Sequence, residues 1–290
     1  MALISADIER AARARDCDLA TSDDVIAGFA LARPERHGPL SLARARGKLS
    51  RLLARRVVSK ALTMRNAKPV ITFTFDDAPA SACETGAPLL ERYEARGTYY
   101  ISGGGCGVAS PGGQLATAAQ LKTLCAAGHE IGCHTFSHAA VDGIGHDALF
   151  AELDRNRAFL QSLDPRIVVR NFAYPYGDLS FRAKHDLEGR FHSCRSLIPG
   201  VNFGIADLGA LKSCELQDAS IGRRGVGEII GETVRRNGWL VFTCHDVQEK
   251  PSRFGVSPEL LEFAVQAARV RGCDILTVAD ALRRLGDVDA

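Results

Sequence analysis

No stretch of the sequence approaches the roughly 20 consecutive apolar residues that cross a bilayer as a helix. Nine cysteines occur in 290 residues, yet no two stand as C-x-x-C, which excludes thioredoxin-like redox motifs and zinc ribbons. No G-x-S-x-G elbow is present, so a serine esterase lacks support. The run Ser102-Gly-Gly-Gly-Cys-Gly107 lacks the Gly-Lys-Ser/Thr of a phosphate loop and reads as a mobile loop. An excess of one charge is also missing. With 36 Lys/Arg against 34 Asp/Glu the net charge is +2, and no nucleic-acid partner is expected. The first ten residues show no basic start followed by an apolar core of roughly 7–15 residues. Several cysteines sit in apolar runs and read as buried thiols. A reducing, cytoplasmic location follows as the expectation.

What is there suits a globular chain: 46% hydrophobic and 24% charged residues fill one large domain or two small ones. The charge is unevenly placed. Residues 1–69 hold 14 Lys/Arg against 7 Asp/Glu, and the remainder holds 22 against 27. Residues 1–66 therefore read as a helical, basic N-terminal extension, with short helices over 3–31, a linker at 33–39 and a further helix over 41–64. Residues 67–290 form the main unit. In the extension Leu49, Leu52, Leu53 and Val57 follow a helical spacing, with Arg and Lys between them. Such a helix packs its stripe on the domain behind it, or lies on an anionic membrane or partner; both readings stay open.

From residue 69 strands alternate with helices. Strands are expected near 70–75, 98–101, 130–134, 168–174, 191–196, 211–216, 239–244 and 274–278, with helices between most of them. Alternation of this kind implies a parallel sheet. Seven or eight strands over about 220 residues suit a closed β/α barrel.

Barrel chemistry gathers at the C-terminal ends of strands. Those positions read Asp76-Asp77, His134-Thr-Phe-Ser-His138, Tyr174-Pro-Tyr-Gly177 and His245-Asp246. His134 and His138 stand four apart, which in a helical turn brings two imidazoles to one ion. A carboxylate from the aspartate pair completes a divalent-metal site with an open position. Adjacent residues on a strand point to opposite faces, so the two aspartates can divide the roles of ligand and base.

These four motifs, in this order, resemble those of the polysaccharide deacetylase family, the NodB-homology group or carbohydrate esterase family 4, over about residues 69–285. The resemblance implies a distorted (β/α) barrel that removes acetyl groups from N-acetylated sugars in oligo- or polysaccharides. It implies Asp77, His134 and His138 as ligands of a divalent ion, with Zn2+ the leading choice. It implies Asp76 as catalytic base, His245 as general acid, and Pro175, Tyr176 and Gly177 as substrate-binding, the Tyr176 amide stabilising the oxyanion. In this scheme metal-bound water attacks the acetyl carbonyl. Two positions depart from the family pattern. Ala173 stands where an Arg usually contacts the base, and Thr243 stands where a Leu usually packs on the acetyl methyl. Arg195 and Asp207 are the candidates for a fourth motif. The departures keep two alternatives open: an amidase or imidase on a small non-sugar amide, and a catalytically impaired glycan-binding module.

Overall fold

The structure is a computed structural model that describes residues 42–110 and 113–286; the helices expected over 3–31 and the linker at 33–39 lie outside them. Helix α1 (Leu42–Arg56) leads to the short strand β1 (Ala61–Thr63) and then β2 (Val70–Asp76). A π-turn (Ala82–Gly86), α2 (Ala87–Arg92) and β3 (Thr98–Ile101) follow. A small hairpin, β4 (Ala109–Ser110) with β5 (Gly113–Gln114), precedes α3 (Ala118–Ala126) and β6 (Glu130–Cys133). Next come α4 (His146–Leu163), β7 (Asn171–Ala173), α5 (Phe181–Glu188), β8 (Ser193–Pro199), β9 (Ile205–Asp207) and β10 (Leu211–Glu215). The chain closes with α6 (Arg223–Arg235), β11 (Trp239–Cys244), α7 (Pro258–Val270), β12 (Asp274–Ile275) and α8 (Val278–Leu285).

Seven strands form a closed parallel ring in the order β2-β3-β6-β7-β8-β10-β11, with β11 returning to pair β2 from Trp239↔Val70 to Cys244↔Phe75. β12 is an eighth strand outside the ring, pairing only with the start of β2. Every residue of β2 and of β11 is buried, as a parallel strand covered on both faces requires. The period of two sorts their side chains. Phe73, Phe75 and Phe242 join the layer packed beneath Leu261, Ala264 and Val265 of α7. Thr72, Thr74 and Asp76 alternate with them. Trp239 donates its indole N–H to Thr72 Oγ1 at 2.9 Å. An apolar cluster of Val70, Leu211, Trp239 and Val241 with Val278, Ala281 and Leu282 of α8 fills the end where the strands begin. A polar network of Thr98, Glu130, Asn171 and Ser193 shares that end, while Asp76, His134 and His245 stand at the other rim.

Two local expectations change. The Gly-rich run is packed. Gly103 N–H donates to Asn156 Oδ1 and Gly104 N–H to the Phe136 carbonyl. A Cβ on Gly103 would lie 2.5 Å from the Phe159 ring, so glycine is there for close approach. In α1 the small residues face inward: Ala54 is fully buried and Ser50 Oγ accepts from the Phe181 amide. The leucine stripe does not pack on the barrel. The end of α1 is held by Lys184, whose ammonium donates to the Ala54 and Val57 carbonyls and pairs with Asp207. Strand β1 then pairs antiparallel with β9.

Candidate active site

Residues from six strands or the loops just after them meet in one cavity of about 190 Å³ at the open rim, lined by Asp76, Asp77, His134, His138, Tyr176, Gly177, Thr243 and His245 among others. All the expected site residues line it except Pro175, which is buried at the first position of the short turn that presents Tyr176.

Asp76 ends β2 and is buried. Asp77 and Ala78 follow with φ of 59° and 45°, a left-handed turn that few L-residues adopt without a structural or functional reason. It swings the Asp77 carboxylate to the two histidines: Oδ1 lies 3.9 Å from His134 Nε2 and 3.5 Å from His138 Nε2. That oxygen is buried and has no hydrogen-bond partner among the described residues. One ligand atom from each of the three residues falls within 4.8 Å of the others. A buried oxygen left unpaired beside two imidazole nitrogens fits a cation that all three would bind.

The histidines are prepared for that task. His134 Nδ1 donates to the Ala173 carbonyl at 2.8 Å, which fixes the tautomer that leaves Nε2 as the free lone pair facing Asp77. Burial, only partly opposed by Asp76, pulls the His134 pKa down to about 4. The ring therefore stays neutral and able to ligate at neutral pH. The pair does not sit on a helical turn, contrary to the spacing argument. Thr135 (φ 61°) and His138 (φ 57°) are both left-handed, and the loop curls until the two rings stand 4.9 Å apart. Glu152 of α4 holds the loop: its Oε2 accepts from the Phe136 amide, the Ser137 amide and the Ser137 hydroxyl at 3.0, 2.7 and 2.9 Å. Nothing in the local spacing marks Glu152, which lies 14 residues beyond His138.

Arg195 answers the question raised by Ala173. It comes from β8, is fully buried, and places Nη2 2.5 Å from both Asp76 carboxylate oxygens. Burial alone would raise the Asp76 pKa. The Arg195 charge, then His134 and His245, outweigh it, and the carboxyl is held below its ordinary value. The guanidinium also lies over the Tyr100 ring. Asp207, the other candidate, does not line the cavity; it pairs with Lys184 beneath α1.

The rest of the cavity is shaped by loops. Tyr176 (φ 58°) and Gly177 (φ 65°) make a left-handed pair, and the Tyr176 ring meets the His138 ring edge at 4.4 Å. Gly177 is packed so closely on Leu197 that a Cβ would fall within 2.8–2.9 Å of it. His245 follows β11 and packs beside Phe254 at 5.4 Å. Asp246 accepts from the Ser252 amide and hydroxyl and from Gln248 Nε2, which ties down the loop that carries Phe254. Thr243, Leu197 and Phe254 give one wall; Glu215 and Gln217 add a polar edge.

Comparisons with known proteins bear on the family and the fold. Residues 63–188 match the family model for polysaccharide deacetylase. No curated protein sequence matches the chain. Among solved structures the fold is similar to a chitin deacetylase from the fungal pathogen Colletotrichum lindemuthianum, with a TM-score of 0.58 at 16% identity over 80% of this chain and 94% of the other. It is also similar to a family 4 acetyl xylan esterase from Clostridium thermocellum in complex with a cobalt ion (TM-score 0.54, 19% identity, 74% and 90% covered). A third match is Bacillus subtilis PdaA, a family 4 carbohydrate esterase (TM-score 0.53, 13% identity, 88% and 93% covered).

Proposed function

We propose that this chain belongs to the polysaccharide deacetylase family, whose model matches residues 63–188, and is a metal-dependent hydrolase that removes acetyl groups from N-acetylated sugars. The observation that carries the proposal is the convergence of a three-residue ligand set and two further ionisable groups, Asp76 and His245, on one cavity.

Asp77, His134 and His138 would hold the ion; two nitrogens and one carboxylate suit a borderline cation such as Zn2+. When bound, the ion supplies Lewis acidity for the carbonyl and acidifies water. Asp76, kept ionised by Arg195, takes the proton of the attacking water as its oxygen adds to the acetyl carbon. Pro175 and Gly177 set the turn from which the Tyr176 amide would donate to the developing oxyanion; a donor of this kind is worth about 3–4 kcal/mol. His245 gives a proton to the sugar nitrogen as the C–N bond breaks. An amine is a poor leaving group, and an acid at that position contributes about 10²–10⁴-fold. Acetate and the free amine result.

The missing Arg at position 173 was the motive for an impaired glycan-binding module. Arg195 fills the same electrostatic place beside Asp76, and the motive falls away. A reducing, cytoplasmic setting belongs to the same proposal and is supported by the thiols. The eight described cysteines are unpaired, and burial pushes Cys83 and Cys194 up to about 12 and Cys133 up to about 11. Acetate release from acetylated oligosaccharides of increasing length, with and without chelator, tests the reaction. Release only from small non-sugar amides would replace it with the amidase reading.

A further inference from the structure

We propose that the outward face of α1 docks on an anionic lipid bilayer. The inner face of the helix is occupied by Ala54, by Ser50 on the Phe181 amide, and by the Lys184 bonds to its last carbonyls. Leu49, Leu52 and Leu53 are turned the other way and are 55%, 46% and 39% exposed. Their i, i+3, i+4 spacing makes one stripe, and exposed Val57 and Val58 continue the apolar surface past the helix end. No helix among the described residues is long and apolar enough to cross a membrane, so the stripe belongs to a surface.

Charge complementarity selects the occupant. The 15 residues of α1 include Arg44, Arg46, Lys48, Arg51, Arg55 and Arg56 and no acidic residue. Arg46, Lys48 and Arg56 are exposed, whereas Arg51 is paired with Asp142 at 2.9 Å. Leucines bordered by cations match a surface that is negative at the headgroups and apolar just below them. The helix also stands beside the reaction site. Arg51 and Arg55 line a hollow with Tyr176, Gly177 and Leu197, and those last three also line the catalytic cavity. Docking through α1 brings the cavity near the headgroups and favours an acetylated sugar held at the membrane. That substrate preference rests on the deacetylase reading; the docking surface does not.

The test is sedimentation of the full chain with vesicles of phosphatidylglycerol and phosphatidylcholine, against vesicles of phosphatidylcholine alone. The chain is expected in the pellet only with the anionic vesicles and to be released by high salt. The variant Leu49→Ser/Leu52→Ser/Leu53→Ser is expected to lose binding by about tenfold or more with its melting temperature unchanged, since all three side chains are exposed. Arg46→Gln/Lys48→Gln/Arg56→Gln is expected to do the same. A full chain that stays in the supernatant with anionic vesicles overturns the proposal, as happens if residues 1–41, a second copy or a protein partner covers the stripe. Anionic binding that survives loss of the leucines overturns it equally. Acetate release from a soluble acetylated oligosaccharide, measured on the leucine variant, separates the two claims: the reaction persists while membrane binding is lost.

Discussion

Replacing Arg195 by Met removes the guanidinium and keeps an apolar stem of similar length. Asp76 then sits buried without the guanidinium that supplies two contacts of 2.5 Å from a fully buried position. Breaking a buried pair on one side costs about 3–5 kcal/mol, because the surviving charge loses its compensation. For a domain of this size each kcal/mol lowers the melting temperature by about 2–4 °C, so a drop of about 6–20 °C is expected for Arg195→Met. Asp76→Asn alone leaves Arg195 charged and buried and is also expected to destabilise. The double variant leaves neither charge, and is expected to be more stable than the sum of the single losses predicts, with a coupling of about 0.5–3 kcal/mol. Urea and thermal unfolding of the four proteins, each metal-free and metal-loaded, close the cycle. Turnover by Arg195→Met is expected to fall by about 10²-fold or more, since the base is no longer held ionised. A loss below about 1 kcal/mol for Arg195→Met, or strict additivity in the cycle, refutes the pairing as the device that holds Asp76.

Glu152→Ala removes the acceptor for three hydrogen bonds that shape the His134–His138 loop. Metal affinity in a competition titration is expected to fall by about 10–100-fold, and an unchanged affinity would show that the loop holds its shape unaided. His129 gives a pH signature of the fold. Its pKa is lowered, chiefly by burial, against the opposing hydrogen bond that Nε2 donates to Glu91; Nδ1 accepts from the Gly97 amide, so the neutral ring is the form that fits. Its contribution is present above the unfolded value of about 6.5 and is lost as pH falls below it. The stability gap between the parent and His129→Gln is therefore expected to be widest above pH ~7 and to narrow toward pH ~5; a gap that widens on acidification contradicts this.

The barrel and the meeting of Asp77 with His134 and His138 were legible in the sequence because their signals are local. Strands alternate with helices, and each reactive residue stands at or just past a strand end. The strand expected over 239–244 coincides with β11. The partner of Asp76 was harder. Arg195 lies 119 residues away, and only closure of the sheet brings β8 opposite β2. Its one sequence signal is a charged residue inside the β-rich run Phe191-His-Ser-Cys-Arg-Ser-Leu197, where an unpaired charge would be costly. Glu152 was invisible for a similar reason, because its role is to accept from a loop on another element. The stripe on α1 was visible, but not the side it would turn. Periodicity counts apolar residues and gave no weight to Ala54 and Ser50, the residues that make the contact. The glycine run misled because glycine serves both mobility and close approach. Asn156 and Phe159, about fifty residues on, decide for the second.

The most direct measurement is metal content and acetate release on the same preparation. The full chain, loaded with Zn2+ and given an acetylated chito-oligosaccharide, is expected to hold one ion per chain and to release acetate. Chelation is expected to abolish release and re-addition of the ion to restore it, while His134→Ala is expected to lose both metal and activity. Release that continues undiminished in the metal-free protein, or full activity in His134→Ala, would contradict a reaction centred on Asp77, His134 and His138.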